Sequence, residues 1–279
     1  MLSFVLWILV FVTYILWVQA SNNNGRIIGG EESKIEDFPY MAGFYYLKDQ
    51  TRHFCGGSLL NDKWILTAAH CIQSTKVLKS LGRNKLKSTN FLRMTSCVYV
   101  PHPDYNPRDL ANDIGLILLE VPVHFYDQIQ PIKLSTRTLL TPENVTALGW
   151  GATSHGASPP VMKLSHVSLT TITNSMCRSI YNCSDISDNM VCAVGIENEG
   201  ICRADAGGPL VQVDANGKSV QVGVIIFHSA TGCEDNYPSG FIRSADYIGW
   251  INEVIHETIV STTQETTTPL EPTQPGDLP

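Results

Sequence analysis

"CGGSLLNDKWILTAAHC", residues 55–71, sets the short and mostly apolar run "WILTAAH" directly after an Asn-Asp turn signal. A run of that length with those boundaries suits a β-strand joined to its neighbours by turns. The pattern recurs outward along the chain in "IGLILLE" (114–120), "VTALGWG" (145–151) and "QVGVIIF" (221–227), bounded by Gly, Pro, Asn and Asp clusters. Helical periodicity is confined to the end. There, "ADYIGWINEVIHETIV" (245–260) places Tyr247, Trp250, Ile251, Val254 and Ile255 on one apolar stripe. No solenoid-type repeat occurs between 27 and 255, so the class is mostly β, closing with one helix.

The chain has 279 residues, enough to bury a sizeable core. It is 43% hydrophobic and 16% charged with a net charge of −7, a folded composition that does not point to nucleic acid as partner. Residues 1–20 carry no charged side chain and end in Val18-Gln19-Ala20, the small-x-small pattern of a signal peptide. A membrane anchor is the competing reading, since the apolar run is close to the roughly 20 residues that span a bilayer. Secretion accounts for the eight cysteines, because thiols oxidise in that compartment. No Cys-x-x-Cys pair or zinc-type histidine spacing exists, so neither a metal nor any other cofactor is expected. After about Val260 the composition shifts to Thr and Pro. The predicted tail, 257–279, is disordered, and either carries O-linked sugars or is simply solvated.

Four features then follow one another in fixed order: "GRIIGG" (25–30), "CGGSLLNDKWILTAAHC" (55–71), "NDIGLILL" (112–119) and "CRADAGGPL" (202–210). Together they closely resemble the chymotrypsin-like (trypsin-type) serine proteases, over roughly residues 26–255. The resemblance implies two six-stranded antiparallel β-barrels with the active site between them, plus the C-terminal helix, in a domain spanning 27–256. It also implies a mechanism: a histidine deprotonates a serine, an aspartate holds the imidazole, and backbone amides stabilise the oxyanion. His70 matches the base and Asp113 the orienting carboxylate. The family's Gly-Asp-Ser-Gly-Gly-Pro loop aligns with residues 204–209, which puts Ala206 at the nucleophile position. A methyl group cannot attack a carbonyl, so the expectation is a pseudoenzyme with a remnant dyad.

Neighbouring positions depart from the family as well. Ala204 stands where a glycine supplies an oxyanion amide. Ile226, Phe227 and His228 replace the Ser-Trp-Gly strand that pairs with substrate. Ser239 stands in place of a pocket glycine, and Gly200 occupies the pocket floor without the aspartate that selects Arg or Lys. These changes predict a partly filled specificity pocket.

Activation chemistry, by the same resemblance, is retained. The segment 21–26 is a short propeptide, and cleavage after Arg26 would free the Ile27 ammonium to pair with Asp205. The implied disulfides are Cys55–Cys71, Cys177–Cys192 and Cys202–Cys233, leaving Cys97 and Cys183 as a fourth pair that the sequence alone does not establish. Asn144 and Asn182 head glycosylation acceptor triplets. Lys76, Lys79, Arg83, Lys85, Lys87 and Arg93 fall in a stretch, 63–103, without an acidic residue. That excludes an acidic calcium loop and reads either as an exosite for an acidic protein or sulfated glycan, or as a solvated strand face.

Three functions are weighed. The first is a secreted, monomeric, non-catalytic homologue that binds extracellular proteins: proteases, their substrates or their inhibitors. Relatives of that kind occur in arthropod immune, salivary, venom and reproductive fluids. The others are an endopeptidase with an unusual nucleophile and an adhesive protein that works through its Thr/Pro tail.

Overall fold

The strands expected from those apolar runs form two sheets that meet face to face in a computed structural model. The described residues are 30–48, 50–73, 77–81, 92–94, 98–152, 160, 163–196, 199–230, 232–233 and 235–266. Strands β1 (Glu31–Glu32), β2 (Met41–Lys48), β3 (Thr51–Leu59), β4 (Trp64–Thr67), β5 (Val77–Leu81), β6 (Leu92–Met94), β7 (Val98–Pro101) and β8 (Gly115–Leu118) occupy the first half. The second half supplies β9 (Lys133–Leu134), β10 (Asn144–Gly149), β11 (Ser165–Ile172), helix α1 (Asn174–Tyr181), β12 (Met190–Val194), β13 (Pro209–Val213), β14 (Ser219–Phe227), β15 (Ser239–Arg243) and helix α2 (Ile248–Thr266).

The second half closes on itself. β11-β10-β13-β14-β15-β12 is antiparallel throughout, and β12 pairs back to β11, giving a six-stranded barrel with no open edge. The first sheet runs β6-β5-β2-β3-β4-β8-β7, again antiparallel, and no pairing among the described residues closes it. Among the described residues the architecture is therefore one closed barrel and one half-barrel. One further departure from the purely antiparallel expectation is the short parallel pairing of β9 with β14.

"WILT", the centre of the opening stretch, is the fully buried strand β4, in register with "GLIL" of β8. Its neighbours on both sides explain why it reads as a continuous apolar run rather than an alternating one. The sheets are joined by a mixed cluster that includes Met41, Phe54, Leu148, Trp150 and Val211, in which Trp150 meets the edge of Phe54 at 5.9 Å. A buried hydrogen bond from Ser58 Oγ to Gln221 Oε1 (2.6 Å) also crosses this seam and ties β3 to β14.

The expected C-terminal helix is present, preceded by a 3-10 turn at Ser244–Tyr247. Its end differs from expectation, because α2 runs through Thr266, ten residues into the stretch read as an unstructured tail from 257. Threonine-rich composition suggested a chain that would not fold, but after Gly249 no glycine or proline breaks the backbone until Pro269. The segments 1–29 and 267–279, with the leader, Arg26 and Ile27, lie outside the described residues. Among the described residues no helix is long and apolar enough to cross a membrane.

Candidate active site

The seam between the sheets carries the chemistry. Strand β4 ends in a one-turn 3-10 helix, Ala69–Cys71, and the Cys55–Cys71 disulfide ties that turn to β3. This fixes His70 at the rim, with 26% of its side chain exposed. Asp113 sits just before β8 and is fully buried. Its carboxylate accepts two hydrogen bonds from His70: the backbone N–H to Oδ1 (2.8 Å) and Nδ1–H to Oδ2 (2.6 Å). A buried carboxylate needs such partners. The pairing also fixes Nδ1 as the protonated nitrogen and leaves Nε2 as the acceptor. Ile226, where the resemblance implies a serine, is buried and adds no donor.

From the other sheet comes the loop 202–208. The Gly56 N–H donates to the Ala206 carbonyl (2.8 Å) and the Gly207 N–H to the Ile225 carbonyl (2.8 Å), clamping the loop between β3 and β14. Ala206 and His70 line the same cleft. Ala204 adopts φ +74°, the left-handed conformation that the aligned glycine adopts without strain. The N–H groups of Ala204 and Ala206 find no acceptor among the described residues. Ala204→Gly should therefore stabilise the fold by about 1 kcal/mol, the net of ~1–2 kcal/mol of relieved strain and the added unfolded-state entropy of glycine. A shift in the denaturation midpoint measures it.

Asp205 is fully buried beneath this loop. It accepts from the Gly151 N–H (2.7 Å) and the Cys202 N–H (2.9 Å), and no ion pair forms on it among the described residues. A side-chain carbon at Gly151 would sit 2.1 Å from the carboxylate, so only glycine admits this approach. Burial pushes the carboxyl up to about 7, and the two backbone donors only partly offset it. Because the folded value lies above the unfolded one, the stability it contributes is full below about pH 4 and is lost as pH rises through about 7. The full span, from 3.8 to about 7, corresponds to about 4 kcal/mol. The uncleaved chain should melt lower at about pH 8 than at about pH 5, and Asp205→Asn should remove most of that slope.

The cleft encloses about 520 Å³. Its walls include Ile201, Ile226, Phe227 and His228, but Gly200 and Ser239 lie buried outside the lining. His228 Nδ1 donates to the Ser229 carbonyl (2.8 Å), and Phe227 packs over Gly240 and edge-on to Tyr181. A side-chain carbon at Gly200 would meet, among the described residues, only the Cys233 carbonyl, at 3.6 Å.

Cys55–Cys71, Cys177–Cys192 and Cys202–Cys233 all form. Cys183 has no disulfide among the described residues, while Cys97 lies outside them. The cluster of Cys55, His70 and Cys71 is no metal site, because both sulfurs are spent in the disulfide. Asn144 opens β10 and Asn182 caps α1 at φ 48°, and both are exposed as an acceptor must be. Of the basic stretch, Lys79 lies in β5 and Arg93 in β6, while Lys76, Arg83, Lys85 and Lys87 lie outside the described residues.

Sequence reasoning missed Tyr45, Arg52, His53 and Arg203, all of which line the cleft. Arg52 and His53 directly precede the buried half of β3, and that adjacency was the available signal.

A family model described as Trypsin matches residues 27–251. A collagenase from Hypoderma lineatum is 36% identical over 236 residues, covering 82% of this chain and 87% of that protein. The venom peptide isomerase heavy chain of Agelenopsis aperta is 31% identical over 245 residues, covering 81% of this chain and 99% of that one. Among solved structures, HL collagenase superposes with a TM-score of 0.74 at 33% identity, covering 82% of this chain and 99% of that chain.

Proposed function

This chain belongs to the trypsin family of serine proteases, and from that premise we propose that it is a secreted, non-catalytic member that holds protein segments without cleaving them. Ala206 carries the reading. The frame around it is kept: His70 bonded to a buried Asp113 at 2.6 Å, a left-handed Ala204, and an open cleft. The atom that would attack a carbonyl is missing from that frame. Loss of a triad serine lowers turnover by about a millionfold, so proteolysis at this site is abolished. Ile226 and Ala204 depart from the family pattern at the same place, which fits a lineage released from catalysis rather than one isolated change.

The three disulfides are those of a protein that matures in an oxidising compartment, which supports secretion through the apolar leader. Asp205, buried with no cationic partner among the described residues, suits docking of the Ile27 ammonium once Arg26 is cut. The expected partners are extracellular proteins that already fit trypsin-like clefts: proteases, their substrates and their inhibitors. Purified protein, intact or cleaved after Arg26, should hydrolyse no peptide ester and take up no fluorophosphonate probe. Covalent labelling of the native sequence overturns the proposal.

A further inference from the structure

Strands β10, β11 and β13 of the closed barrel carry a second groove, which encloses about 590 Å³ and, among the described residues, shares no lining residue with the cleft. Val145 and Leu169 point into the barrel core, so by alternation Asn144, Thr146, Ser168 and Thr170 face outward along it. Two large apolar side chains stand exposed on its walls, Ile196 at 71% and Val213 at 66%. Asn144, at the head of the acceptor triplet Asn144-Val145-Thr146, lines the same groove. Its Oδ1 accepts from Thr170 Oγ1 (3.4 Å) and its carbonyl from Gln212 Nε2 (3.3 Å). Gln212 is held in turn by Glu143 Oε2 (3.0 Å) and Arg137 Nη2 (2.6 Å), so the base of this side chain is fixed. Nδ2 is left as the unpaired atom of the amide among the described residues.

We propose that Asn144 carries an N-linked glycan whose first sugars lie along this groove and cover Ile196 and Val213. Nδ2 displaces the diphosphate from C1 of a lipid-diphosphate-linked oligosaccharide: the C1–O bond breaks, the Nδ2–C1 bond forms, Nδ2 loses one proton and the lipid diphosphate leaves. An N-acetylglucosamine ring has C–H-rich faces and an apolar N-acetyl methyl, which suit Ile196 and Val213, while its hydroxyl edges meet Ser168, Thr170 and Gln212. An apolar groove of this kind, left bare, invites association. The glycan closes this face and leaves the cleft as the surface open to partners. The proposal rests on the secreted half of the proposed function and not on the missing nucleophile.

The test uses the full chain secreted by eukaryotic cells that attach high-mannose glycans, in an Asn182→Gln background that leaves one of the two acceptors. Peptide N-glycosidase in heavy-oxygen water should convert Asn144 to labelled Asp in most molecules. Fluorescence of the uncharged dye Nile red should rise at least ~2-fold on that removal, and stay low when an endoglycosidase trims the glycan to one N-acetylglucosamine. Thr146→Ala, which spares Asn144 but destroys the triplet, should give the same rise, and Val213→Ser should cancel it. Enzymatic removal acts on folded protein, so the dye measurement stands even where Thr146→Ala is poorly secreted. An unoccupied Asn144 in secreted protein, or a glycan whose removal leaves dye binding unchanged, overturns the proposal and spares the proposed function. An unglycosylated chain that stays inside the cell overturns secretion as well. A dimer of the glycosylated chain that Val213→Ser dissolves gives the groove to a second copy and overturns the proposal too.

Discussion

Ala206→Ser, in protein cleaved after Arg26, should turn a blank into a labelled band with a fluorophosphonate probe, a gain of at least ~1,000-fold over the native sequence. A triad serine is worth about a millionfold in turnover. The defects that stay behind, at Ala204 and Ile226, each touch one donor, and an oxyanion donor is worth ~100- to 1,000-fold. The base is already in place, since the Asp113 carboxylate holds Nδ1 at 2.6 Å and turns Nε2 outward as acceptor. The loop that presents residue 206 is clamped to both sheets. Labelling should therefore return, while amide hydrolysis stays ~100-fold or more below that of an intact relative. A folded, cleaved Ala206→Ser protein that remains unlabelled would show that residue 206 is not where the nucleophile belongs, and the proposed function would lose its support.

The strands and the dyad were legible because each leaves a local mark. A buried strand such as "WILT" shows its length and its turns, and the order of the four motifs fixed His70, Asp113 and the loop at 202–210. The state of the cleft was not legible in the same way. His228 reads as added volume in a pocket, yet whether it fills that pocket depends on which way the ring turns, and the Ser229 carbonyl decides that. Arg52 and His53 were invisible for a related reason: they lie in the exposed half of β3, without a motif, and matter only because the hairpin carries them over the cleft. The helix end is obscured in the sequence by threonine-rich composition, while the absence of a backbone breaker before Pro269 lets α2 run on to Thr266. Local chemistry is written in the sequence, while side-chain direction is set by partners distant along the chain.

The same loop allows backbone strain to be separated from crowding. Ala204, Gly207 and Gly217 share nearly the same positive φ, at +74°, +79° and +74°. At Gly217 a side-chain carbon would meet nothing within 4 Å among the described residues, so Gly217→Ala should cost only the conformational strain, ~1–2 kcal/mol at most. At Gly207 the same carbon would lie 2.5 Å from the Gly56 carbonyl and 2.2 Å from Thr67 Oγ1. Those two atoms are already bonded to each other at 2.8 Å across β3 and β4, so neither can retreat without losing the other. Crowding of this kind adds ~1–3 kcal/mol, and Gly207→Ala should lose about 2–5 kcal/mol in all. That is a large share of the 5–15 kcal/mol typical of a domain, and chemical denaturation should register it as a lowered midpoint. The function should fail with it, because relief of the clash pulls residues 204–208 away from β3, opens the bond between Gly56 and Ala206, and takes Ala206 off the wall it shares with His70. If Gly207→Ala and Gly217→Ala cost the same, the close packing of this loop against β3 and β4 is not what holds the cleft in shape.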